Sequence, residues 1–325
     1  MSDTPTLATI ARLLGVTPIT VSRALRGQPG VGEEIRGKVR KAAAELGYRP
    51  DYFAAAMAGR RLGGKTVGGA IACLVGHQNA DPRGRYEHYE LVFGGMRERC
   101  AEMGFSLDTF WVFDPGMSTS RLHQILQARG IEGCVLMSLS PNEMAFPWER
   151  YCLVQAAANT MHAEVDYSAI DYYNATHSAL TRMRARLRDE IALVLPPDLN
   201  SALRERIVGA YHAFHASTGS RHTRNMVLSA VSARRQRKRL GAALCWGCEE
   251  AKLVLDSLMV PSGRVASLHL LHRDVEYPGM LIPYRELGAV AVDLLWKKMR
   301  ERRYGITEEC RGLVIEGKWE GTVAA

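Results

Sequence analysis

The sequence predicts an α/β protein in two parts: a small all-α head, then a two-lobed α/β body built on parallel sheets. Three observations carry this. The first 65 residues hold helix-spaced apolar positions punctuated by glycine. From Thr66 onward, strand-like and helix-like segments alternate, the pattern of βαβ units. That alternation runs for about 260 residues, long for one open sheet, so it is expected to divide into two lobes.

In the head, Leu7, Ile10, Ala11 and Leu14 lie at helical spacing within Thr6 to Leu14, and Gly15 stops the helix. Thr17 is a natural N-cap for a second helix with Pro18 at its first position, where a missing N–H costs nothing. Gly27 is the expected stop of that helix. A third helix spans Glu33 to Leu46 along a stripe of Ile35, Val39, Ala42, Ala43 and Leu46, and Gly47 ends it. Its acidic start suits the helix dipole. After Tyr48-Arg49-Pro50, Asp51 can cap a short alanine-rich segment, and Gly63-Gly64 marks a linker.

The body has strand candidates at Val67–Val75, Phe105–Val112, Gly133–Leu139, Cys152–Ala156, Ala169–Tyr173, Glu190–Leu195, Ala242–Trp246 and Val265–Leu270. Helix candidates are Tyr89–Met103, Ser118–Arg129, Ala175–Leu187, Leu199–Ser217, Glu249–Leu258 and Arg285–Arg303.

Charge is unevenly spread. Residues 1–65 carry 11 Lys+Arg against 5 Asp+Glu, while the rest carry 31 against 29. A strongly basic head on a nearly neutral body points to a nucleic-acid-binding head. The seven cysteines are odd in number and mostly sit in apolar segments, so reduced, buried thiols are expected rather than a disulfide framework. The start lacks a signal-peptide layout and no apolar run reaches membrane-spanning length, so no membrane partner and a cytoplasmic location are expected.

A helix, a tight glycine turn and a second capped helix form a unit whose second helix reads the major groove. The stretches TLATIARLLGVTPITVSRAL, KVRKAAAELGYRP and AAAMAGR together resemble the head of the lactose/galactose-repressor family of bacterial transcription factors. The resemblance covers the entire head. Over the body it extends to segment order and to fragments such as RIVGAY (Arg206 to Tyr211) and LGAVA (Leu287 to Ala291). It implies a head over residues 1–50, a hinge helix and linker over 51–65, and over 66–325 a dimerising body similar to a two-lobed periplasmic sugar-binding protein. It implies a regulator, acting as a repressor, that binds a pseudo-palindromic double-stranded DNA operator as a homodimer and responds to a small-molecule effector.

Candidate DNA-contacting residues are Thr6, Leu7, Thr17, Pro18, Ile19, Thr20, Ser22, Arg23, Arg26 and Tyr48 in the head, with Ala54, Met57 and Ala58 in the hinge. Pro18 fixes the helix start but cannot donate a hydrogen bond. Ile19 can pack on a thymine methyl group, which leaves polar reading to Thr17, Thr20, Ser22 and Arg23. The competing assignment for Ile19 is the three-helix core, although Val16, Val21, Ala24 and Leu25 already fill that stripe. By the resemblance, Met57 is the apolar wedge for the minor groove at the operator centre, on a segment expected to order only on DNA.

The effector candidates are Arg206, Trp246, His77 and Asp274. Gly247-Cys248 and Ile282 stand where the family places polar readers, so a typical free sugar is not expected. Trp246 can stack on a ring or serve as core. Cys245 and Cys248 form a lone CxxC without a second pair, so no metal is expected. The basic run Arg234, Arg235, Arg237, Lys238 and Arg239 reads either as an anion-binding patch or as a solvated loop. Two other classes compete: a DNA-binding regulator whose body is a dimerisation or protein-interaction module without sugar response, and an enzyme with a DNA-binding head. No Gly-rich phosphate loop, metal-ligand set or G-x-S-x-G turn supports the enzyme, and no cofactor is expected.

Overall fold

The computed structural model describes residues 5–25, 29–46, 48, 69–76, 87–156, 164–188, 190–218, 226–229, 241–258, 260–273 and 277–323. The head consists of α1 (Leu7–Leu14), α2 (Pro18–Leu25) and α3 (Glu33–Glu45). Ile10, Ala11, Val21, Ala24, Val39, Ala42 and Ala43 are its buried core, with Leu7, Leu14, Val16, Leu25, Val31 and Tyr48 packed against them.

The body begins with β1 (Ala70–Val75), α4 (Glu87–Met103), β2 (Ser106–Trp111), α5 (Thr119–Ala128), β3 (Gly133–Met137), β4 (Cys152–Ala156) and β5 (Asp166–Ile170). The chain then crosses to α6 (Tyr172–Arg186), β6 (Ile191–Leu195), α7 (Ser201–Ser217), β7 (Val227–Ser229), β8 (Ala242–Cys245), α8 (Cys248–Leu258), β9 (Val265–Leu270) and β10 (Gly279–Leu281). It returns through α9 (Tyr284–Arg300) and β11 (Gly312–Ile315), and ends on β12 (Lys318–Glu320).

Two six-stranded sheets result, ordered β11-β5-β4-β3-β1-β2 and β12-β10-β9-β8-β6-β7. Among the described residues, every pairing is parallel except β12 on β10. The order assigns β11 to the first lobe and β12 to the second, and α9 packs on α4, β4 and β5 of the first. Three crossovers therefore join the lobes, after β5, after β10 and after β11. Buried residues from both lobes form one continuous apolar cluster, from Ile71 and Val135 to Leu193 and Leu268.

The fifth strand differs from its expected position. It spans Asp166–Ile170 rather than Ala169–Tyr173, because Asp171 caps a helix that begins at Tyr172. Its carboxylate accepts from the Asn174 N–H at 2.9 Å, so the chain turns helical three residues before the expected start at Ala175. The short strands β7, β10, β11 and β12 had no counterpart among the expected elements. At three or four residues each, they are too short to show a period.

One buried polar knot fixes the end of the first lobe. The Asp166 carboxylate meets the Arg303 guanidinium at 3.0 Å and the Arg311 N–H at 3.0 Å, with the buried Lys298 amine 3.9 Å away. It ties β5 to the last turn of α9 and to the segment that follows it into β11. Burial pushes the Lys298 amine below its ordinary pKa.

Candidate DNA-reading face and interlobe cleft

Both helices of the turn motif start on the same device. Thr6 and Thr9 exchange backbone-to-hydroxyl bonds at 3.2 Å each way, a capping box on α1. Thr17 Oγ1 accepts the Thr20 N–H at 3.1 Å, and the two hydroxyls lie 2.9 Å apart. Between the helices, Gly15 adopts φ +65°, the left-handed geometry that glycine takes without a Cβ penalty. The Val16 N–H closes the turn on Ala11 O at 3.0 Å.

This turn aims one face of α2 outward. Val21 and Ala24 are fully buried, while Ile19 is 68% exposed. Ile19, Ser22 and Arg23 follow i, i+3, i+4 spacing on the side opposite Val21, with Pro18 exposed at the helix start. The core assignment for Ile19 is thereby excluded. Thr17 and Thr20 hold each other at the cap, which leaves Ser22 and Arg23 as the polar groups whose side chains form no part of it. Thr6 is exposed at the start of α1, whereas Leu7 and Tyr48 are half-buried against the head core. Arg26, Ala54, Met57 and Ala58 lie outside the described residues.

In the body, the strand ends and crossovers bring a group of rings together. Trp246 follows β8, His269 lies on β9, and Tyr172 and Tyr284 open the helices of two crossovers. Trp246 and His269 stack with centroids 4.6 Å apart and planes at 14°. Tyr172 lies 5.4 Å from Trp246, and His88 of α4 lies 5.2 Å from Tyr284. A hydrogen-bond chain runs through them: Tyr172 OH to Tyr284 OH at 2.9 Å, and Tyr284 OH to His269 Nε2 at 2.7 Å. Burial pushes His269 down to about 3 and both tyrosines up, so all three are neutral near pH 7. Nearby, Tyr89 OH meets Ser138 Oγ at 2.6 Å, and Ser138 carries φ +47°, strained for a residue other than glycine. His272 of the second lobe meets Glu87 of the first at 2.6 Å.

Trp246 thus sits among rings from both lobes and the crossovers. Arg206 is half-buried in the second turn of α7. His77 and Asp274 lie outside the described residues. Ile282 is 2% exposed and belongs to the core, and Gly247 donates its N–H to Glu250 Oε2 at 3.0 Å. Sequence reasoning missed Tyr172, His88, His269 and Tyr284. A Tyr or His at the start of a helix carries no local signal, and only the crossovers bring them together.

Cys245 is buried and its thiol is pushed up mainly by burial, with the Glu250 carboxylate adding to it. A redox dithiol needs the opposite shift. The basic run 234–239 lies outside the described residues. Among the described residues, no His, Cys, Asp and Glu group could hold a metal, and no helix is long and apolar enough to cross a membrane.

Among known proteins, residues 6–51 match the family model of bacterial regulatory proteins, lacI family. Over 54 residues the chain is 57% identical to the HTH-type transcriptional regulator GntR of Pseudomonas aeruginosa, a stretch covering 17% of this chain and 16% of that regulator. Three longer matches to transcriptional regulators, at 23%, 26% and 27% identity, cover 59%, 64% and 62% of those relatives. In each of these relatives the matched part spans less than two thirds of the length. Among solved structures, a transcriptional regulator CelR–cellobiose complex is similar with a TM-score of 0.59 at 20% identity, covering 99% of this chain and 100% of that one. The lac repressor dimer bound to operator and the anti-inducer ONPF is similar with a TM-score of 0.57 at 15% identity and the same coverage. At such identity the likeness is one of fold: a three-helix head on a two-lobed body.

Proposed function

We propose that this chain, whose head belongs to the lacI family of bacterial regulatory proteins, is a sequence-specific transcription repressor. It binds a pseudo-palindromic operator as a homodimer and is tuned by a small molecule in the interlobe cleft. The single observation that carries the DNA reading is the outward face of α2. Ile19 stands in solvent beside Ser22 and Arg23 on a helix whose opposite side is fully committed to the core. Ile19 meets a thymine methyl, and Arg23 takes a guanine edge or a phosphate.

Dimerisation follows from size. One compact head reads only a few base pairs, and two heads related by a dyad raise both affinity and specificity. The effector reading is supported by the fold, since lobes joined by three crossovers can open and close about them. Domain limits at 1–50, 51–65 and 66–325 fit this division of labour.

A second reading has its own observation. The hydroxyls and imidazole at the cleft centre are already bonded to one another, as expected of a body that only dimerises. Selection of bound sequences from random DNA tests the first claim: a two-fold symmetric site is expected, and recovery of no sequence preference contradicts it. Titrating candidate effectors against the selected operator separates the two readings of the body.

A further inference from the structure

We propose that the interlobe cleft takes a neutral, planar heteroaromatic molecule rather than a free, oxidised or phosphorylated sugar. This rests on the effector-binding reading above and names its ligand class.

The walls are the first argument. Tyr172, Trp246, His269, Tyr284 and His88 form a run of rings with successive centroids 4.6 to 5.6 Å apart. Trp246 is only half-buried, so part of the indole remains open to a ligand. A flat π-system gains both dispersion and quadrupole alignment on such a surface.

The polar reach is the second. Tyr172 OH, Tyr284 OH and His269 Nε2 form one chain with two self-consistent directions. When the hydroxyls donate toward the imidazole, His269 Nδ1 carries the proton. When the imidazole donates through Nε2, Nδ1 accepts. Tyr172 is buried, so the partly exposed His269 end of the chain is the one that can answer either a ring nitrogen or an N–H group on a heteroaromatic edge.

The third is what a sugar would need. Its hydroxyls require a fan of independent carboxylate, amide or guanidinium partners. Here the hydroxyl and imidazole groups spend bonds on one another, and Gly247, Cys248 and the buried Ile282 offer no such side chain. Because this centre is neutral, an anionic sugar set against these rings would lose its hydration without a counter-charge from them.

The test is calorimetry on the full chain with named probes: adenine, uracil and nicotinamide against glucose, ribose, gluconate and glucose 6-phosphate. At least one planar probe is expected to bind with Kd below about 1 mM. His269→Phe, which keeps a ring and removes Nδ1, should weaken it about tenfold, the loss of one hydrogen bond, and Trp246→Leu should abolish it. A sugar that binds more tightly than every planar probe, with an affinity indifferent to His269→Phe, overturns the ligand class and leaves the effector reading standing. No binding by any probe, together with operator affinity unchanged by all of them, overturns both.

Discussion

Ile19 shows how one residue decides a reading. Periodicity placed it opposite the core stripe, and its exposure in the folded head agrees. Ile19→Ala is expected to cost about 1 kcal/mol of preference at one thymine per half-site, with the melting temperature unchanged. Arg23→Ala should cost more, about 1–3 kcal/mol if it reads a guanine edge. Competition between operators differing at single positions measures both. Thr17→Ala acts differently, because the Thr17 hydroxyl accepts the Thr20 N–H at 3.1 Å. Losing that cap should destabilise the head by about 1 kcal/mol, seen by thermal unfolding without DNA. In the cleft, burial holds His269 far below its unfolded value, down to about 3. Its neutral form therefore contributes stability that is fully present above the unfolded pKa near 6.5 and lost as pH falls toward the folded one. Unfolding free energy should drop on acidification from pH 7 to 5 in the wild type and less steeply in His269→Gln.

Elements show where sequence reasoning reached and where it stopped. Long periodic helices and strands of five or six residues were legible, because their apolar spacing is set by one face that must be buried. Thr6, Gly15 and Thr17 marked their boundaries through capping and turn chemistry. Asp171 was a cap of the same kind, but it followed an apolar strand so closely that the strand was drawn through it. The cleft was the least legible part, since its rings come from the ends of β8 and β9, two crossovers and α4. Only Trp246 carried a signal of its own. The contact of α4 with α9 is equally silent in sequence. A Cβ on Gly288 would stand 2.1 Å from Val92 O, and one on Gly95 would stand 1.9 Å from Arg285 O. Gly288→Ala must push these helices apart and should cost about 1–3 kcal/mol, the range for overpacking a tight core, read by denaturant unfolding. For the hinge, Met57→Leu should leave operator affinity nearly unchanged and Met57→Asp should abolish specific binding. Both follow if the side chain at 57 meets a central base step.

At the scale of the whole molecule, the proposed repressor couples a basic head to a body whose proposed roles are pairing two copies and sensing a ligand. Much of the affinity then comes from phosphate contacts of the 11 Lys and Arg in residues 1–65. Its logarithm should fall linearly and steeply with the logarithm of salt concentration. The central claim is that two heads read one symmetric site. The measurement that tests it most directly is footprinting on sequences selected from random DNA, with affinity compared between the full site and an isolated half. Symmetric protection about a dyad, with the half-site bound far more weakly, is the predicted result. One asymmetric half-site, bound by a single copy with the full affinity, would contradict it.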